Sequence, residues 1–198
     1  MKRVFFGLFA LLLIVTAAVA ADGLRTEVRI IVEKALAGER EAVARYEAFA
    51  VKADEEGYPG AAALFRAAAR GEKAHANRFA AILKQQGHPV PEAATHHPMV
   101  GGTGDNLRAA SNAEAAERDG IYREAVEVCR LHKANDLAKV FDQTRDSEVE
   151  HNNLCQAAAR NLESMKQDKR YYVCDDCGYT TDVRLPMCPA CRSKHAPE

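Results

Sequence analysis

The sequence predicts a mainly α protein, a four-helix bundle followed by a small metal-stapled tail. Three observations predict it. The composition is rich in Ala and charged residues, lacks Trp and is only 7% aromatic, which favours helices over a β-sandwich. Long periodic stretches with few breakers fill residues 21–166. Two Cys-x-x-Cys pairs crowd the last 28 residues. The balance of 27 Lys+Arg against 28 Asp+Glu argues against a nucleic-acid or polybasic membrane-surface role.

Residues 1–20, MKRVFFGLFALLLIVTAAVA, read as a secretory signal peptide. Lys2 and Arg3 form its positive start, an apolar stretch follows, and Ala18-Val19-Ala20 offers a small-x-small cleavage site. The alternative is an uncleaved anchor, for which the 17 residues from Val4 to Ala20 sit at the short limit for spanning. Cleavage takes the formal charge from −1 to −3 and places the chain in the periplasm or outside the cell, with no stable membrane insertion. The cysteines then face an oxidising compartment.

Four helices follow. The first spans about Arg25 to Glu56 and stops at Gly57, and Pro59 suits the first turn of the second, which runs to about Gln86 before Gly87-His88-Pro89. Residues 87–104 form a Gly/Pro-rich connection too long for a hairpin loop. Asp105 can cap a third helix ending near His132, and Asn135 or Asp136 can start a fourth reaching about Met165. Two hairpins joined by one long crossover is ferritin-like connectivity.

The hairpins repeat each other. Ala63–His75 parallels Lys139–His151 at an offset of 76, matching Phe65 with Phe141, Glu72 with Glu148 and His75 with His151. A repeat of this kind implies a pseudo-twofold axis, and a site on that axis receives equivalent ligands from both halves. A spacing of three on a helix puts Glu72 and His75, and likewise Glu148 and His151, on one face about 4.5 Å apart along the axis, within reach of one metal. With 17 Glu and 7 His in 198 residues, chance gives fewer than one such pair, so two at equivalent positions carry weight. Glu39 lies 33 residues before Glu72 and Glu114 lies 34 before Glu148, at matching levels on the partner helices. Two Glu plus two Glu-x-x-His form a di-iron carboxylate set, and hard oxygens with imidazole suit iron or manganese. Glu117 shares the face of Glu114 and can be a seventh ligand. Tyr46 and Tyr122 can hydrogen-bond the ligand carboxylates, or simply pack in the core.

In the tail, Cys174-x-x-Cys177 and Cys188-x-x-Cys191 enclose ten residues. Two such knuckles form a tetrathiolate for iron or zinc, with Gly178 free to take a positive φ. A pair of disulfides and a purely structural zinc ribbon are the alternatives.

These residues together resemble the rubrerythrin family over about residues 25–191. AGEREAVARYEAFA around Glu39, GEKAH, NAEAAERDGIY around Glu114 and Glu117, and SEVEH follow that family's motifs in order, and YYVCDDCGY…MCPAC resembles its rubredoxin-like domain. The resemblance implies a ferritin-like four-helix bundle over 21–166 followed by a small rubredoxin-like metal-binding domain over 167–198. It implies that Glu72 and Glu148 bridge two irons, that Glu39 and Glu114 are terminal ligands, that His151 binds one iron, and that His75 and Glu117 alternate on the other. Cys174, Cys177, Cys188 and Cys191 would hold one mononuclear iron that relays electrons. The expected activity is peroxidase, reducing hydrogen peroxide to water in oxidative-stress defence, with an unidentified electron-donor protein. A homodimer is expected, the tail of one subunit serving its neighbour's bundle. The chain departs from the family in its export signal, a short Cys177–Cys188 loop and a short stretch after Cys191.

A ferritin-like ferroxidase or iron-binding protein, and a bundle with a structural zinc ribbon, are the competing readings. Cys129 and Cys155 fall roughly 24 Å apart along the helices, too far to pair within the chain, and read as buried thiols. His88, His96 and His97 read as residues of a solvated crossover, and His132 as a helix C-terminal residue.

Overall fold

The computed structural model describes residues 24–193, so the signal segment lies outside the described residues. The bundle begins with α1 (Thr26–Glu55) and α2 (Pro59–Gln85). After an extended crossover come α3 (Thr103–Ala116), a single π-helical turn (Glu117–Ile121) and α4 (Tyr122–Leu131), which together form the third rod. The fourth rod is α5 (Asn135–Arg160), followed by a 3₁₀ turn (Leu162–Lys166). The tail holds β1 (Tyr172–Val173) and β2 (Thr180–Thr181), paired antiparallel with Tyr172 opposite Thr181.

The chain stops these helices by backbone geometry. Gly57 and Gly87 take φ of 76° and 72° just past α1 and α2. In each case that residue and the next donate back to carbonyls of the last turn, as in Tyr58 N to Ala53 O at 2.8 Å and His88 N to Leu83 O at 2.9 Å. α4 ends the same way, except that Lys133 holds the left-handed position at φ 59°.

Two helix boundaries differ from the sequence expectation. Asp105 does not cap the third helix. That helix starts at Thr103, whose backbone N–H and hydroxyl both donate to the Glu56 carboxylate at 2.7 Å, so a residue from the end of α1 does the capping. α5 starts at Asn135 as expected, with Ala134 in the capping position and no side-chain cap bond. The fourth helix breaks at Asn161 (φ −133°, ψ 61°), and the 3₁₀ turn then carries Met165 back into the core.

Two apolar clusters fill the bundle. One contains Tyr46, Phe49, Phe65, Leu107 and Cys155, and the other Val32, Phe79, Tyr122, Cys129 and Phe141. Each has an aromatic trio at its heart. Phe49 meets Phe65 edge-on at 5.4 Å, and Phe79 stacks on Phe141 at 5.1 Å. Such pairs contribute about 0.5–1.5 kcal/mol beyond their burial. Two members of each trio are repeat images, since Tyr46 and Phe65 correspond to Tyr122 and Phe141 at the offset of 76, whereas Phe49 and Phe79 have no aromatic counterpart. Cys129 and Cys155 are buried free thiols in opposite clusters, which is why they do not pair.

The crossover carries His88, His96 and His97 and is tied to α1 where Arg40 Nη1 donates to Pro91 O at 2.6 Å. None of these histidines joins a metal-ligating cluster among the described residues.

Candidate metal centres

Glu39, Glu72, His75, Glu114, Glu148 and His151 converge at the middle of the bundle and are at most 1% exposed. Their ligand atoms form two groups, each within 4.8 Å: Glu39, Glu72, His75 and Glu148, and Glu72, Glu114, Glu148 and His151. The groups share Glu72 and Glu148. Glu72 turns Oε2 to His75 Nδ1 (3.0 Å) and Oε1 to His151 Nδ1 (2.9 Å). Glu148 turns Oε1 to His75 Nδ1 (3.2 Å) and Oε2 to His151 Nδ1 (3.2 Å). Glu39 faces only the His75 side at 3.5 Å, and Glu114 only the His151 side at 3.7 Å. The pseudo-twofold axis of the repeat therefore passes between two equivalent ligand sets.

Two hydrogen bonds cross that axis. The Tyr46 hydroxyl donates to Glu114, and the Tyr122 hydroxyl donates to Glu39. Each tyrosine orients the carboxylate of the other half. The spacing explains the π turn. Glu39 and Tyr46 are seven residues apart, but Glu114 and Tyr122 are eight. The π turn at Glu117–Ile121 absorbs the extra residue and returns Tyr122 to the inward face. The signal was present in the sequence as a repeat offset of 75 for Glu114 against 76 elsewhere.

Burial this complete leaves strong electrostatic demands. Burial pushes the Glu39 and Glu114 carboxyls well above the usual range, with the neighbouring carboxylates adding to it and the histidines only partly opposing. For Glu72, burial pulls the same way, but His151 and His75 outweigh it and hold the carboxyl well below the usual range. Glu148 is also held low, by His75 and His151 against burial and Glu72. Burial would lower His75 and His151, yet the carboxylates around them raise both well above the ordinary value.

The donor set fits two cations. Glu39 Oε2, Glu72 Oε1, Glu114 Oε2, both Glu148 oxygens and His151 Nδ1 are buried and have no hydrogen-bond partner. Orphaned inward acceptors of this kind are costly unless an ion satisfies them. Four hard carboxylates with two imidazoles suit iron. Glu117 stands apart. It belongs to neither group, is 16% exposed, and its Oε1 lies 3.6 Å from Arg45 Nη2. Burial, with Glu148 and Glu72, pushes its carboxyl up to about 8 against the opposing pull of Arg45.

The four tail cysteines bring their Sγ atoms within 4.8 Å of one another. Cys174 Sγ is 3.6 Å from Cys191 Sγ and Cys177 Sγ is 3.5 Å from Cys188 Sγ, far beyond disulfide bonding, so the disulfide alternative is set aside. Gly178 takes φ 77° in the first knuckle, and its N–H donates to Cys174 O at 2.8 Å. The geometry is that of a tetrathiolate.

The tail meets the bundle at the histidines. His75 Nε2 lies 2.8 Å from Cys177 O, so Nε2 carries the proton and Nδ1 is left to face the carboxylates. His151 Nε2 lies 2.9 Å from Thr180 Oγ1. Two glycines permit the approach. A Cβ on Gly71 would come within 2.7 Å of Gly178 O and 2.9 Å of the His151 ring, and a Cβ on Gly178 would fall on His75 Nε2. Gly60 likewise lets the linker pass, since a Cβ there would press on Met165 O and Gln167 O. These contacts are made within one chain, the linker after Asn161 folding back along α2. Thr180, the Cys177 carbonyl, Gly71 and Arg45 were not singled out from the sequence.

Fold and site together define a ferritin-like di-iron protein with a rubredoxin-type iron site. The chain belongs to the rubrerythrin family: residues 31–159 match the family model described as Rubrerythrin. It is 33% identical to a rubrerythrin of Porphyromonas gingivalis, over 88% of each chain. It is 29% identical to nigerythrin of Nitratidesulfovibrio vulgaris, over 79% of this chain and 78% of that one. Among solved structures, a mixed-valence nigerythrin superposes with a TM-score of 0.76 at 26% identity, covering 89% of this chain and 87% of that one. A bacterioferritin from Desulfovibrio desulfuricans, at 20% identity and a TM-score of 0.65, shares the bundle fold over 71% of this chain and 82% of its own.

Proposed function

We propose that this chain is a peroxidase that reduces hydrogen peroxide to water at its di-iron site, using electrons delivered through the tail. The observation that carries the reading is the contact between His75 Nε2 and the Cys177 carbonyl, which joins the two metal sites. A protein that only stores or oxidises iron has no need of such a junction.

Glu72 and Glu148 would bridge the two ions, each offering one oxygen to each histidine side. Glu39 and Glu114 would be terminal ligands, with His75 and His151 completing the two sets through Nδ1. When bound there, two ferrous ions supply the two electrons that cleavage of the O–O bond requires. Tyr46 and Tyr122 fix the terminal carboxylates from across the axis. Tyr46 keeps its proton, because burial, then the charges of Glu114 and Glu72, push its hydroxyl well above the ordinary value. The apolar clusters on either side shield the site from bulk water. The Cys177 main chain and the His75 ring offer a short path of covalent and hydrogen bonds between the clusters. An external electron-donor protein would refill the tail, and the signal read in residues 1–20 supports action outside the cytoplasm.

The test uses the iron-loaded full chain without oxygen. Peroxide should oxidise the bundle iron, and a reductant acting on the tail should sustain turnover. A Cys174→Ser variant should complete the first oxidation and then stall. Sustained turnover in that variant, or oxidation by dioxygen with growth of a ferric core and no response to peroxide, would overturn the reading in favour of a ferroxidase.

A further inference from the structure

Arg45 stands one residue before Tyr46, at the margin of the di-iron site, and its contacts are unusual. Its guanidinium lies over the Tyr46 ring, 5.3 Å from the centroid. Its Nη2 is 3.6 Å from Glu117 Oε1, within ion-pair range but beyond a hydrogen bond. Its Nε and Nη2 are buried and make no hydrogen bond. A cation with spare buried donors beside a loosely held carboxylate is not a structural strut, which would show close bidentate geometry. It attracts without locking.

Glu117 has somewhere else to go. It is one turn from Glu114 on the same rod, and Glu148, Glu72 and His75 are near enough to act on its charge. It opens the π turn, where the backbone departs from the regular hydrogen-bond ladder. It also lines an open groove of about 690 Å³ with Ala113, Gly120 and Arg123, so its side chain has room to swing.

We infer that Arg45 is a positioning residue that holds the Glu117 carboxylate off the metal pair, so that the guanidinium and the ions compete for it. Arg45 itself never touches substrate or ion. It acts through Glu117, and through the Tyr46 ring that aims at Glu114. This inference rests on the di-iron reading but not on peroxidase activity.

The test is manganese(II) binding to the full chain, because this hard ion suits the carboxylate site and poorly suits four thiolates. Affinity is measured by calorimetry and ligand number by X-ray absorption, for wild type, Arg45→Met, Glu117→Gln and the double variant. Wild type and Glu117→Gln should show the same ligand number, since Glu117 is parked. Arg45→Met should gain an oxygen ligand and bind about tenfold more tightly than its simple loss of positive charge explains, a coupling that vanishes in the Glu117→Gln background. Arg45→Lys, which keeps the charge, should stay near wild type, and Arg45→Gln, which removes it, replaces Arg45→Met if that variant does not fold. An added ligand that persists in the double variant, or no added ligand in a folded, loaded Arg45→Met, overturns the inference. Failure of wild type to bind two ions in the bundle would instead sink the di-iron reading.

Discussion

The Tyr46 hydroxyl on α1 donates to Glu114 on α3, and its repeat counterpart Tyr122 returns the bond to Glu39. Each half of the bundle thereby fixes the terminal carboxylate of the other. Removing either hydroxyl leaves a buried carboxylate one donor short. Tyr46→Phe and Tyr122→Phe should each weaken metal binding by about 10–100-fold, as loss of a bond that orients a ligand does. Metal titration of the two variants checks this, and unchanged affinity in both would show that the cross-braces do not matter.

Gly71 decides whether the tail can seat. Gly71→Ala favours the α2 helix by propensity, so the bundle should form normally. The new Cβ nevertheless meets Gly178 O at 2.7 Å and the His151 ring at 2.9 Å. The tail should be displaced from His75 with its tetrathiolate intact. Rapid-mixing measurement of re-reduction of the bundle iron by the tail should show at least about tenfold slowing, while the tail's own visible spectrum stays the same.

Lys133 occupies a left-handed position at φ 59° that a glycine fills at the ends of α1 and α2. An L side chain there costs about 1 kcal/mol, partly offset by the greater unfolded-state freedom of glycine. Lys133→Gly should therefore stabilise the metal-free protein by about 0.5 kcal/mol, measured by urea unfolding. A loss of stability would contradict it.

Glu56 links the end of α1 to the start of α3. Hydrogen bonds from the Thr103 hydroxyl and backbone lower its carboxyl to about 2. A depressed folded-state value means that its stabilising effect is complete above the ordinary value near 4.5 and is lost as the pH falls toward 2. Glu56→Gln should melt below wild type at neutral pH, and the two melting curves should converge as acid approaches pH 2. A gap that stays constant down to that pH would rule out the charged cap.

Much of the site was legible because helical spacing is rigid. Glu72 with His75 and Glu148 with His151 must share a helix face wherever the helix lies, and the repeat at 76 ties the two pairs to one axis. The Cys-x-x-Cys pairs are similarly local. Helix starts were less legible, as the cap on Thr103 comes from Glu56, 47 residues away.

The sequence by itself determined the four rods, their pairing into repeated hairpins, and the spacing of the two Glu-x-x-His pairs and the four thiols. These follow from periodicity, breakers and fixed short spacings. Only the tertiary structure decided that Tyr46 reaches Glu114 rather than its own half's Glu39, that Glu117 rests against Arg45 outside the cluster, and that the Cys177 carbonyl reaches His75 within one chain. Those contacts join residues separated by 68, 72 and 102 positions. Their existence depends on how rods and tail close on one another, through side-chain shape and two glycines, which no local spacing encodes.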